Sequence, residues 1–315
     1  MRRALVVTSC SNRKRIAPSP ELRARNLASG PSEAIAKNWH SLLACSESAA
    51  RASELYCGRS FALARGAADA LSAPLYIISA GVGLVHADDL IPPYSLTVAP
   101  GSPDNVLAKI TSPCSAREWW KACSEQSSNG RQLGRTLESA DLSRVLLLMA
   151  LPGTYLRMID QELLQLPDAA LSRIRIFSGA PPHDFPEPVR SLIMPYDARL
   201  DGKDSPAPGT LSDFAARALA DFAQWILREF PDANVEEHRA AVARRLQSWA
   251  YAASPARERL TDERLIALIR ANWTQAGTSA SRMLRYFRDE MGIACEHGRF
   301  AHLFATVQHE QEMRT

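Results

Sequence analysis

The sequence predicts an α/β fold: an open, mostly parallel sheet flanked by helices, followed by a small all-helical C-terminal domain. Three observations predict it. Short apolar runs recur along the first two-thirds of the chain and are continuous rather than alternating, as strands buried on both faces are. Helical stretches lie between them, and alternating β and α elements build a sheet covered on both sides. Beyond about residue 235 the apolar spacing is helical throughout.

The elements follow in order. The strand-like runs are "ALVVTSC" (4–10), "PLYIISAG" (74–81), "RVLLLMALPG" (144–153), "IRIFSG" (174–179) and "SLIMPY" (191–196). Between them, "SESAARASELYCGRSFALARGAADAL" (46–71) reads as helical, with Gly58 inside it at a cost of about 1 kcal/mol relative to Ala. "TYLRMIDQELLQL" (154–166) reads as a second helix. Residues 99–140, with Pro, Ser and Gly punctuation and a Trp pair, read as an insertion or long crossover. After a loop at 197–210, the amphipathic stretch 211–230 closes a first domain of residues 1–230. "PDAN" (231–234) is a linker, and residues 235–315 form the helical domain.

Composition narrows the function classes. With 46% hydrophobic and 23% charged residues in 315, a sizeable core is available. The net charge of +3 neither requires nor excludes nucleic acid, but residues 1–37 carry eight cations and two acids, so the first strand and its loop sit in a basic field. The six cysteines include no CxxC pair and no histidine at zinc-finger spacing, so neither a metal nor another cofactor is expected. The apolar run at the N-terminus is too short for a signal peptide and no stretch approaches the ~20 apolar residues of a membrane span. A soluble, cytoplasmic protein with reduced thiols is expected.

Ligands of open α/β sheets bind beyond the carboxyl ends of the strands, and the chemistry-bearing residues cluster there. The first strand runs into Ser9, Cys10, Ser11, Asn12, Arg13 and Lys14, whose backbone amides suit an anion nest. Asn12 can orient a water. Cys10 beside such cations reads as a thiolate nucleophile or as a small buried hydrophobe. After the second strand, "SAGVGLVHADDLIPPYSLT" (79–97) supplies Ser79, Gly81 and Gly83 for close backbone approach, His86, Asp88 and Asp89 as titratable groups, and Tyr94 as a flat face. Without a third glycine opening a helix this is no dinucleotide fingerprint. Glu54, Tyr56 and Arg59 surround Gly58, Tyr155 follows "LPGT", and His183 with Asp184 sits in a proline-stiffened loop. In the tail, Met283, Leu284, Phe287 and Met291 share a face beside an Arg282, Arg285, Arg288 stripe, with Thr278 or Ser279 as cap. Together with "TDERLIALIRANW" (261–273) this reads as a helix-turn-helix or winged-helix unit.

The segments "VVTSCSNRK", "ELYCGRSF" and "LYIISAGVGLV…IPPY" resemble bacterial proteins related to the uracil-DNA glycosylase superfamily, in particular antiviral DNA glycosylases that attack hypermodified phage bases. The resemblance covers roughly residues 1–200. It implies a parallel sheet between helices, with a flipped nucleotide entering at the strand ends. It also implies an Asp or Asn after the first strand that positions the attacking water, and a later His that stabilises the departing base. Asn12 matches the first role by position and His183 the second by strand order. The chain lacks the superfamily's "GQDPY"-like and "HPSP"-like loops, which argues against uracil and leaves water positioning open among Asn12, Asp88 and Asp89.

The expected function is therefore a monofunctional DNA glycosylase. It hydrolyses the N-glycosidic bond of a modified base, such as glucosylated hydroxymethylcytosine of phage DNA, and leaves an abasic site. Cleavage develops positive charge on the sugar and negative charge on the base, so water is needed on one side and donors on the other. His183, Arg59 or backbone amides serve the base; Tyr56, Tyr94 or Tyr155 stack on it; Arg13 and Lys14 hold phosphates of double-stranded DNA. Two other readings stand beside it: a nucleoside deoxyribosyltransferase-like or tRNA base-exchange enzyme using Glu54, and a non-catalytic DNA-binding regulator.

Overall fold

The structure is a computed structural model that describes residues 3–126, 133–134, 136, 145–251, 257–273 and 279–312. The chain divides into two compact units, Met1–Ala252 and Ala253–Thr315.

The first unit is built on a five-stranded sheet in the order β4-β3-β1-β6-β7. Its strands are β1 (Arg3–Ser9), β3 (Leu75–Ser79), β4 (Gly83–His86), β6 (Val145–Ala150) and β7 (Ile174–Phe177). All neighbours are parallel except β3 and β4. The central strand β1 is buried on both faces, with Leu5, Val6 and Val7 at 2% exposure or less, which is why its apolar run is unbroken. A second small sheet pairs β2 (Ala50–Arg51) with β5 (Leu90–Ile91).

Two sets of mutually packed helices flank the main sheet. One contains α1 (Ser32–Ala44), α4 (Ala116–Gln126) and α5 (Gly153–Leu164); the other contains α3 (Arg59–Ala70) and helix Phe214–Asp221. A four-residue helix α2 (Ala52–Leu55) precedes α3. Helix Phe214–Asp221 continues through a π-helical turn at Phe222–Ile226.

In the first unit the structure departs from the sequence expectations at four places. Residues 191–196 are not a strand of the sheet: Glu187–Leu192 is helical, and Ile193 meets Ile176 in one isolated bridge. Pro195 has no N–H to extend the ladder. The stretch 46–71 is not one helix, because Gly58 has φ +104°, a conformation other residues rarely adopt, and serves as the N-cap of α3. Residues 83–86 form an antiparallel strand rather than a loop, turned by Gly83 at φ +74°. Residues 99–140, by contrast, lie in the long connection from β5 to β6 as expected, and carry α4, which packs on α1; part of that stretch lies outside the described residues. Helix Val235–Gln247, expected to open the C-terminal domain, belongs to the first unit. It is held there by His238, whose Nδ1 accepts from buried Arg175 at 2.8 Å, and by Arg245, which forks onto Asp221.

The second unit has its own core around Leu265, Met283, Phe287, Phe300 and Val307. Helices Asp262–Ala271, Ala280–Asp289 and His297–Glu312 surround it, and a two-residue parallel pairing of Glu258–Arg259 with Ile293–Ala294 means the unit is not purely helical. Met283, Leu284 and Phe287 are buried as their spacing requires, whereas Met291 is exposed. Ser279 occupies the N-cap without a side-chain hydrogen bond; Thr278 lies outside the described residues.

Candidate active site at the carboxyl ends of β1 and β6

From β1 the chain winds to β3 on one side, and from β6 to β7 on the other. The crevice between the carboxyl ends of β1 and β6 is therefore the topological switch point, where open α/β sheets take their ligands. Cys10 Sγ and Tyr155 Oη lie 3.1 Å apart across it.

The loop after β1 is stiff. Cys10 N–H continues the ladder by donating to Ile78 O (2.9 Å). Lys14 pairs with Tyr56 in an antiparallel bridge, Arg15 N–H donates to Leu55 O (2.9 Å), and Cys57 N–H donates to Arg13 O (3.1 Å). Arg13 N–H also donates to Ser11 Oγ (3.0 Å). A Cβ on Gly58 would lie 3.6 Å from Ser11 Oγ, so the start of α3 lies directly against this loop.

Beneath the loop is a buried polar chain. Gly81 and Val82 N–H groups donate to Ser79 Oγ (3.1 and 3.2 Å), so the Ser79 hydroxyl proton turns to Tyr94 Oη, its close neighbour. Tyr94 Oη lies 2.7 Å from Tyr56 Oη. Burial pushes the phenols of Tyr56, Tyr94 and Tyr155 well above the ordinary tyrosine range, so all three remain protonated. Trp39 and Trp119 indoles donate to Gly81 O (2.6 Å) and Ala80 O (2.8 Å), fixing the β3–β4 turn from behind.

Lys14 closes the top of this cluster. Its Nζ sits 4.1 Å from the Tyr94 ring centroid and 5.5 Å from that of Tyr56, and it donates to Ser11 O (3.2 Å). Burial lowers its pKa from 10.5, partly opposed by Cys10, Asp104 and Cys57.

Two helix N-termini also reach the crevice. The first amides of α3 (Arg59, Ser60, Phe61) and of α5 (Gly153, Thr154) lack intrahelical acceptors, which suits an anion there. Next along the rim, the loop after β7 borders a mostly apolar groove of about 440 Å³. Pro181, Pro182, Met194, Leu211 and Phe214 line it, together with Ser178 and the charged Arg190, Asp197, Asp201 and Arg239. A larger cavity of about 610 Å³ lies between α4 and the C-terminal half of α5, around Trp120 and Glu162. It is at the opposite end of the helix layer from the strand carboxyl ends, so the switch point and the groove beside it are the better candidate.

The structure sorts the sequence candidates. Ser9, Cys10, Ser11, Asn12, Arg13, Lys14, Ser79, Gly81 and Tyr155 come together at the carboxyl end of β1 and its neighbours. Asn12 and Arg13 are exposed there. His183 is on the same rim, 80% exposed by its side chain, with Nε2 3.5 Å from Asp184 Oδ1; Asp184 is gripped by Arg157 of α5. Gly83 lies at the β3–β4 turn with φ +74°.

Other candidates do not join the site. Asp88 and Asp89 sit past β4, where His86 pairs with Tyr76 at the amino end of β3, about 10 Å from Ser79 along the strand. Asp88 faces Arg51, and Asp89 accepts from His86 N–H (2.8 Å). The antiparallel hairpin, read as a loop from the sequence, is what carries them away. Tyr56 and Tyr94 are buried to 1% or less and present no stacking face. Glu54 is exposed on α2. Arg59 pairs with Asp213 (3.2 Å) and donates to Pro208 O (2.7 Å), tying α3 to the 208–213 loop. In the second unit Arg282 and Arg285 are exposed, while Arg288 donates to Cys295 O (2.5 Å). The sequence places "PYD" (195–197) at a strand end but gives no sign of the groove walls at 211–214 and Arg239, which carry no motif.

Residues 41–110 match a family of unknown function (DUF6884). No curated protein and no solved structure matches the chain. The matching stretch contributes Tyr56, Gly58, Ser79, Gly81 and Tyr94, and so most of the buried hydroxyl chain; Cys10, Lys14 and Tyr155 lie outside it. Among the described residues no group of three or more His, Cys, Asp or Glu could hold a metal ion, and no helix is long and apolar enough to cross a membrane.

Proposed function

We propose that the first unit hydrolyses the N-glycosidic bond of a modified base in double-stranded DNA, leaving an abasic site. The observation that carries this reading is the convergence on one crevice of an exposed amide and guanidinium, Asn12 and Arg13, with the unsatisfied N-termini of α3 and α5. Such a crevice suits a phosphate and its sugar, with a water held beside them.

The roles follow from position. Arg13 and the α3 amides hold the phosphate of an extruded nucleotide. Asn12 orients the water on the sugar side, since Asp88 and Asp89 are out of reach. The groove beyond β7 receives the base between proline and phenylalanine faces, and His183 on its rim donates to the charge that develops on the departing base. The buried tyrosines act beneath the site by fixing the loops, not by stacking. Exclusion of water by a snug pocket and extrusion of the base are general needs of chemistry on duplex bases. The reaction as written needs no redox step and balances with water alone.

The test is incubation of the full chain with ordinary, uracil-containing, hydroxymethylated and glucosylated duplexes, with abasic sites revealed by alkali. Abasic sites from one modified duplex, lost in Asn12→Ala, support the proposal. Retarded, salt-sensitive binding with no abasic site from any duplex favours a non-catalytic regulator instead.

A further inference from the structure

We propose that Lys14 is a nucleophile toward the aldehyde of an abasic deoxyribose, so that the protein also cleaves the strand at the site it creates. This rests on the glycosidic reading above and extends it from hydrolysis alone to hydrolysis followed by strand cleavage.

The geometry singles out this lysine. It stands on the loop that leaves the carboxyl end of β1, next to exposed Asn12 and Arg13. Its ammonium has three donors, and one acceptor among the described residues, Ser11 O at 3.2 Å. The rest of its surroundings are the ring faces of Tyr94 and Tyr56. Arg13 and Arg15, by contrast, are exposed. A lysine taken out of water with a single hydrogen-bond acceptor keeps a larger share of neutral amine than a solvated one, and the neutral amine is the nucleophile. The lowered pKa of Lys14 agrees with this. Tyr155, held protonated by burial, meets Cys10 at the same loop, and no carboxylate forms a salt bridge with Lys14 among the described residues.

The step balances without a cofactor. The Lys14 amine adds to C1′ of the ring-opened sugar, and the carbinolamine loses water to give a protonated imine. A C2′ proton passes to solvent, the electron pair moves toward the imine, and the C3′–O bond breaks with the 3′ phosphate as leaving group. Water then hydrolyses the unsaturated imine, which frees Lys14 and leaves an unsaturated aldehyde on one strand end and a 5′ phosphate on the other.

The experiment supplies the full-length protein with duplex DNA that already contains an abasic site, with and without borohydride. A covalent adduct that peptide mass mapping places on Lys14, together with strand cleavage in the absence of borohydride, is the expected result. Lys14→Arg keeps a cation over the rings and should lose both. Mapping of the adduct to another residue, an undiminished adduct in Lys14→Arg, or no adduct from wild-type protein that binds the duplex would each overturn the proposal. The two readings fail separately. Base release that leaves an uncleaved abasic strand refutes only the lysine step, whereas cleavage of preformed abasic DNA without base release from any duplex refutes only the hydrolysis.

Discussion

Cys10 Sγ stands 3.1 Å from Tyr155 Oη, joining the loop after β1 to the first turn of α5 across the point where the sheet reverses its winding. The contact is buried at both ends. Tyr155→Phe keeps the ring and removes the hydroxyl, so it should destabilise by about 1 kcal/mol. Denaturant unfolding should show a lower midpoint with an unchanged slope. A stabilised variant would mean the contact is strained.

Gly81 and Gly66 give opposite predictions for the same substitution. A Cβ on Gly81 would lie 2.5 Å from the Tyr94 ring, which is buried and tied to Ser79 and Tyr56. Gly81→Ala should therefore cost about 1–3 kcal/mol through overpacking. Gly66 lies exposed inside α3 with nothing within 4 Å of its Cβ position, so Gly66→Ala should stabilise by about 0.5–1 kcal/mol. Thermal melts of the two variants compared with wild type check both signs.

How much of this was legible in the sequence depends on distance along the chain. The continuous apolar runs of β1, β3, β6 and β7 name buried parallel strands because local composition reports burial on both faces. The loop from Ser9 to Lys14 is conspicuous for the same reason, being polar where a strand ends. Gly58 misled the reading of 46–71, since a single residue at positive φ ends one helix and starts another without disturbing the apolar spacing. The β4 hairpin was hidden because "GLVH" is as short as a loop, and its antiparallel direction decides where Asp88 and Asp89 go. The groove beyond β7 is assembled from residues 178–182, 190–201, 211–214 and 239, which only tertiary packing brings together.

Asp104 links the chain's basic start to the 95–104 segment. It accepts from Arg25 Nε and Nη2 (2.9 and 2.6 Å) and from Ser95 Oγ (2.8 Å). The Arg25 hydrogen bonds, above all, hold its carboxyl down at about 2. A depressed carboxylate contributes stability above its unfolded pKa, near 3.8, and that contribution is lost as pH falls to about 2. Asp104→Asn should flatten the acid limb of stability between those values, measured by urea unfolding at each pH. An unchanged limb would exclude the pair as its source.

Lys14 runs the other way. Its folded pKa is lowered, so the unfolded chain holds the proton more tightly, and stability gains with pH between the lowered value and 10.5. The groups that bear on this ammonium are Cys10, Cys57, Asp104 and the rings of Tyr56 and Tyr94. The wild type minus Lys14→Met difference in unfolding free energy should therefore rise through that interval. A flat difference would show the amine to be solvated in the native state.

In the second unit, Arg282 and Arg285 project from helix Ala280–Asp289 without an acidic partner among the described residues. If they contact phosphates, each substitution by Ala weakens duplex binding uniformly across sequences and reduces the salt slope by about 0.9. Fluorescence anisotropy against salt reads this directly. An unchanged slope in the double variant would take DNA contact away from this helix.

The most direct test of the central claim is mass spectrometry of what the protein releases in a single turnover from duplexes that differ in one base. The expected result is a free modified base, released in equal amount to abasic sites and cleaved strands taken together, and lost in Asn12→Ala while the melting temperature is kept. Release of no base from any duplex, or release undiminished in Asn12→Ala, would contradict it.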